Sequence, residues 1–93
     1  MKSTIKILED SKEVEYCFDS GLVNGEKLMA LKELATSNNG TFNEMKFNYM
    51  YCAKLLTSPL TTYEDLCKKD SFIVSALILH IQKISSMVVL PNS

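Results

Sequence analysis

The 93-residue chain contains no tryptophan and no arginine, a single histidine, two prolines and three glycines. Each shortage closes off a class of function. Sequence-specific readout of duplex DNA leans on the bidentate guanidinium fork, and phosphate positioning on clustered positive charge. All ten basic residues here are lysines, set against eleven acidic ones for a net charge of −1. Nucleic acid and anionic lipid are therefore not expected partners. With His80 as the lone histidine, no His–His metal pair or histidine-based triad can be assembled within one chain. The glycines, Gly21, Gly25 and Gly40, fall in no P-loop and no G-x-G-x-x-G spacing, and read as turn and cap residues. No cofactor and no metal site is expected.

Cysteine is scarce as well. Cys17, Cys52 and Cys67 are widely spaced, with no C-x-x-C pair. Together with His80 they contain the donors of a Cys₃His zinc site, but structural zinc sites use close-spaced ligand pairs that are missing here. Each thiol instead occupies a position expected to be apolar, where it acts as a small hydrophobe. An odd number of cysteines without a framework fits reduced thiols. The N-terminal run MKSTIKILEDSKEVEY lacks a continuous apolar segment and a small-residue cleavage site. A cytoplasmic location is expected on both grounds. The acidic neighbours Glu9-Asp10, Glu13 with Glu15, and Glu64-Asp65 read as solvated faces or caps rather than general acid–base pairs. An enzyme is not expected.

A long hydrophobic run is also lacking. The greasiest stretch, FIVSALILHI at Phe72–Ile81, is followed by Gln82, Lys83, Ser85 and Ser86. A membrane-spanning helix needs about 20 apolar residues, so this run stops short and no span is expected.

What remains is a chain with 46% hydrophobic residues and mostly helical signals. Residues 1–10 admit two readings, since Ile5 and Ile7 alternate like a strand while Ile5 and Leu8 fit one helical turn. From Ser11, the spacing of Val14, Cys17 and Phe18 predicts a helix that Gly21 ends. A second helix is expected after Asn24, with Leu28, Leu31, Leu34 and Ala35 on one stripe. Thr41-Phe42-Asn43-Glu44 has the pattern of a capping box and predicts a helix over about 41–57, stopped by Ser58-Pro59. Thr61-Thr62-Tyr63-Glu64 repeats that pattern for a short helix to Lys68-Lys69. Asp70 or Ser71 caps a last helix over roughly 72–86, and an apolar tail occupies 87–93. The expected fold class is all-α: one helical domain over 1–93, a bundle of four to five short helices, dimeric.

Two of these helices are apolar on more than one face. On 41–57, Phe42, Met45, Tyr49, Cys52, Ala53 and Leu56 share one side, and Phe47, Tyr51 and Leu55 line the other at i, i+4, i+8. On the last helix, Ile73, Val74, Leu77, Ile78, Ile81 and Ile84 form a wide core face. A separate sector carries Phe72, Ala76, Leu79 and Met87, with Lys83 and, at its edge, His80. A domain this small has room to surround one such helix but hardly two, and contiguous exposed apolar patches mark interaction sites. The expected function is a non-enzymatic protein–protein interaction module, such as a small adaptor, inhibitor, chaperone or regulator. The expected partner-binding residues are Phe47, Tyr51 and Leu55, with Lys54 and Glu44 as a polar rim. The expected self-association residues are Phe72, Ala76, Leu79 and Lys83, in a two-fold homodimer. The competing reading is a dimeric DNA-binding regulator placing Phe42, Asn43, Lys46 and Phe47 of the 41–57 helix on base edges. A third reading lays the Met87–Leu90 tail on a membrane surface.

Overall fold

The computed structural model describes the backbone of residues 1–88 and the side chains through Ser85. Of the tail expected at 87–93, only the backbone of 87 and 88 falls within the described residues. The membrane-surface reading of that tail therefore lies outside them.

Alternation, not helical periodicity, governs residues 2–19. Lys2–Glu9 is a strand, β1, and Lys12–Asp19 a second, β2. They pair antiparallel without interruption from Lys2 opposite Asp19 to Glu9 opposite Lys12. One face carries Ser3, Ile5, Ile7 and Glu9 beside Val14, Tyr16 and Phe18. The other carries Lys2, Thr4, Lys6 and Leu8 beside Glu13, Glu15 and Cys17. The strands turn through Asp10 and Ser11, both at positive φ (50° and 64°), as a two-residue type I′ hairpin requires. A third strand, β3, spans Leu56–Ser58 and pairs with the far side of β2, with a bulge between Cys17 and Phe18. The sheet order is β1-β2-β3.

This sheet overturns the all-α bundle and the helix expected over 11–20. Val14, Cys17 and Phe18 do fall at helical spacing. However, Val14, Tyr16 and Phe18 alternate just as well with Glu13, Glu15 and Cys17, and pairing with β1 satisfies the backbone of both segments. For residues 1–10, the strand reading is the one that forms.

Among the described residues four α-helices follow: α1 at Gly25–Leu34, α2 at Glu44–Leu55, α3 at Tyr63–Lys68 and α4 at Ser71–Val88. Each start has a local cause. Asn24 accepts from the Lys27 amide at 2.9 Å and caps α1. Asn43 does the same for Lys46 at 3.0 Å and caps α2. The start expected at Thr41 is corrected by two residues because a bridge between Thr36 and Phe42 keeps that stretch extended. At α3 a reciprocal capping box forms between Thr62 and Asp65, one residue later than the expected Thr61–Glu64 pattern. Asp70 accepts from the Phe72 amide at the start of α4. α2 ends at Leu55 rather than Thr57, because Leu56–Ser58 leave the helix to join the sheet.

The core lies between the sheet and the helices. Tyr16 and Phe18 of β2 meet Cys52 and Leu55 of α2, Leu56 of β3, Leu66 of α3, and Val74, Leu77 and Ile81 of α4. Ile5, Ile7 and Val14 pack at its margin. The described residues make a slab of 42 × 41 × 20 Å. Twenty ångströms is about one sheet layer and one helix layer, and α4 packs against β1 and α2 within them.

One polar cluster joins the two layers. The Tyr16 hydroxyl donates to Glu9 Oε2 at 2.5 Å, and Lys69 Nζ bonds Glu9 Oε1 at 2.8 Å. Lys69 also stands 5.9 Å from the centre of the Tyr16 ring. The Lys69 bond, helped by Tyr16, holds the Glu9 carboxyl below its usual range. The same bond raises the Lys69 amine, and burial raises the Tyr16 hydroxyl. Glu9 therefore contributes stability that is full above the ordinary glutamate range and lost as pH falls through its lower folded value. Lys69 contributes stability that is full below the ordinary amine range and lost as pH rises. We expect Lys69→Met to cost about 1–2 kcal/mol near neutrality, as for a partly shielded charge-assisted bond. The loss should shrink below the ordinary glutamate range. Urea unfolding at acid and neutral pH measures both, and equal losses at both pH values would contradict this assignment.

Candidate functional site: the outer flank of α4 and the open edge of β1

Two polar contacts, one just before α4 and one midway along it, mark its course along the sheet. Lys69, just before the helix, is bonded to Glu9 at one end of β1. His80, in the helix's third turn, lies with Nε2 3.1 Å from the Ser3 hydroxyl at the other end. The His80 ring also sits 5.3 Å from that of Phe18. α4 thus runs antiparallel to β1, along nearly its whole length.

The helix sorts its side chains on this base. Val74, Leu77, Ile81 and Ile84 are buried, and Ile73 and Ile78 half-buried, so the expected core face is the observed one. The other apolar sector is turned outward. Phe72 is 84% exposed and Leu79 64%, and Ala76 is half-buried between them. Ala76, Leu79, His80, Gln82 and Lys83 form one wall of a shallow groove of about 580 Å³, and Ile5 of β1 lies at its foot. The residues expected for self-association are thereby brought together: Ala76, Leu79 and Lys83 line the groove, and Phe72 stands one turn before it. Burial, and secondly Lys83, lower the His80 imidazole below its usual value. This favours the neutral ring at the groove.

Ile5 at the foot of the groove belongs to β1, an edge strand of the sheet. A two-residue hairpin makes the closing pair, Glu9–Lys12, a hydrogen-bonded one, and such pairs alternate along an antiparallel ladder. The bond from the Ser20 amide to the Met1 carbonyl at 2.9 Å keeps that phase at the far end. Odd-numbered residues of β1 therefore bond to β2. The N–H and C=O groups of Lys2, Thr4, Lys6 and Leu8 point the other way, where among the described residues no strand pairs with them.

The expected partner-binding set on α2 does not form one outward face. Leu55 is 3% exposed and belongs to the core, which withdraws it from that set. Phe47 and Tyr51 are half-buried and stacked on each other at 5.7 Å, with Phe42 tilted against Phe47 at 5.7 Å and the Lys32 ammonium 6.0 Å from the Phe47 ring centre. Lys54 lines a separate recess of about 450 Å³ with Leu31, Leu34 and Met50. Glu44 is exposed in the first turn of α2. α2 touches α1, α3, α4 and β3, and so works chiefly as the central helix.

Cys52 is fully buried, and burial pushes its thiol up to about 12. Among the described residues, no group of three or more His, Cys, Asp or Glu side chains is placed to hold a metal ion, and no helix is long and apolar enough to cross a membrane. Comparison with protein-family models, with curated proteins and with solved structures gives no match to this chain.

The thiols allow a check of this packing. In the native protein the exposed Cys67 should react with a thiol reagent at about pH 8, while Cys52 should stay unmodified until denaturant is added. Mass spectrometry of the modified peptides reads the order. Early labelling of Cys52 would show that α2 is not packed as described.

Proposed function

We propose that this protein is a non-enzymatic interaction module that self-associates through the outer flank of α4 and the neighbouring edge of β1. One observation carries the reading: the exposed apolar sector of α4 lines a groove whose foot is Ile5 of β1, the strand with the unpaired edge. Each feature alone is common. A large side chain left in water forgoes about 1.5–3 kcal/mol of burial, and an open strand edge is a template for another chain. Placed side by side, they offer a partner both apolar contact and backbone hydrogen bonds.

The principal ionisable cluster supports a structural role over a catalytic one. Tyr16 is fully buried, and both Glu9 oxygens are engaged, one by Tyr16 and one by Lys69. The DNA-binding alternative has less to recommend it. Asn43 is engaged in capping its own helix, and Phe47 is stacked against Tyr51 under Lys32. Neither presents itself to a base edge.

The test is light scattering after size-exclusion chromatography over about a hundredfold range of concentration. The wild-type chain should approach the mass of a dimer as concentration rises. The double variant Phe72→Ser/Leu79→Ser should remain monomeric. Its unfolding free energy should stay within about 0.5 kcal/mol per site of the wild type, as for exposed positions. A wild-type monomer at every concentration would overturn the reading, as would a double variant that associates unchanged.

A further inference from the structure

We infer that the occupant of the β1 edge is β1 of a second copy, paired antiparallel about a two-fold axis that passes through Ile5. This inference rests on the self-association reading above and specifies its geometry.

β1 is suited to this role by what it lacks. It is eight residues long, contains no proline, and keeps unbroken register with β2. Its guards against pairing are Lys2 and Lys6, since lysines on an edge repel a second strand that sets a lysine opposite. Those two lysines select the register. Only the even-numbered residues direct their amides outward, so they must face even-numbered residues of the second strand. Centring the pair on Thr4 sets Lys2 against Lys6, and centring it on Lys6 sets Lys6 against Lys6. Centring it on Ser3 or Ile7 avoids this but shortens the ladder. Centring it on Ile5 sets Lys2 against Leu8 and Thr4 against Lys6, with no like charges directly opposed over the longest overlap. Lys6 also carries its own counter-charge, Glu13 Oε1 at 3.4 Å.

The groove supports the same centre independently. Ile5 is the β1 residue at its foot, below Ala76 and Leu79. An axis through Ile5 brings the two grooves into one, with Ile5 against Ile5 on the inner face and the α4 flanks meeting above. The strand order becomes β3-β2-β1-β1-β2-β3. A second copy of β1 has the composition the groove needs, because Ile5 and Ile7 project to the α4 side and Lys2, Thr4 and Lys6 to water.

Two variants test the pairing beside the wild type. Thr4→Pro removes an amide that points to the open edge and bonds nothing in β2, so the monomer should keep its circular dichroism while the dimer is lost. Ile5→Cys, in a background of Cys17→Ser, Cys52→Ala and Cys67→Ser, should form a disulfide-linked dimer on mild oxidation. Residues facing each other at a non-hydrogen-bonded position bring their Cβ atoms within about 4.5–5.5 Å. In the same background Ile7→Cys, which faces Ser3 of the second strand in this register, should cross-link far less. A dimer that survives Thr4→Pro and resists cross-linking at Ile5, yet is lost in Phe72→Ser/Leu79→Ser, would overturn the strand pairing and leave the α4 interface standing. Cross-linking at Ile7 in preference to Ile5 would overturn the register. A wild-type chain that never dimerises would remove both inferences.

Discussion

The bond between Glu9 and Lys69 links positions sixty residues apart in the chain, and the arrangement of the two layers depends on it. Glu9 ends the first strand and Lys69 directly precedes the last helix. Holding them together, with Tyr16 beneath, decides where α4 begins relative to the sheet. From that point α4 has one course: along β1, past Ile5, to the His80–Ser3 contact. The groove and its foot on β1 follow from this anchorage. A salt bridge at a surface is worth little, but this one is partly shielded, shares its carboxylate with a buried tyrosine, and fixes a register between two layers.

The helices were legible because their signals are local. An asparagine, aspartate or threonine before an apolar repeat satisfies the first free amides whatever the rest of the chain does, which is why the starts at Asn24 and Asp70 were legible and that of α3 was missed by only one residue, Thr62 capping in place of Thr61. The errors arose where a distant segment decided. Thr41 lost the cap to Asn43 because its neighbour Phe42 pairs with Thr36. Leu56 and Thr57 left their helix because β2 was there to bond them. The hairpin was the costliest omission, since it carried the fold class. Its turn, Asp10-Ser11, lacks the glycine that ordinarily announces a type I′ hairpin. Alternation in β2 was masked by Cys17 on the outer face, which let Val14, Cys17 and Phe18 pass for a helical stripe.

The site was half legible for the same reason. Projection of α4 separates its core stripe from the sector of Phe72, Ala76 and Leu79 without knowledge of any neighbour, and the structure makes that division. The projection of α2 went wrong at Leu55, because a helix in contact with elements on several sides has no single inward direction. What the sequence could not show was the open edge of β1. An open strand edge is a property of sheet order, and sheet order depends on β3, two of whose three residues, Leu56 and Thr57, looked like the end of a helix.

The sheet's two borders are unequal. On one side β1 offers eight residues in continuous register; on the other β3 offers three, reached across a bulge and followed at once by Pro59. A strand added at β1 therefore finds purchase, while one added at β3 finds almost none. A sheet with two good borders can grow without limit, which is the route to fibres. With a single good border, growth is self-terminating: once that border is covered, the composite sheet ends on both sides in a short, bulged strand. The stunted third strand, slight as a contributor to the core, would act as the stop that keeps such assembly finite.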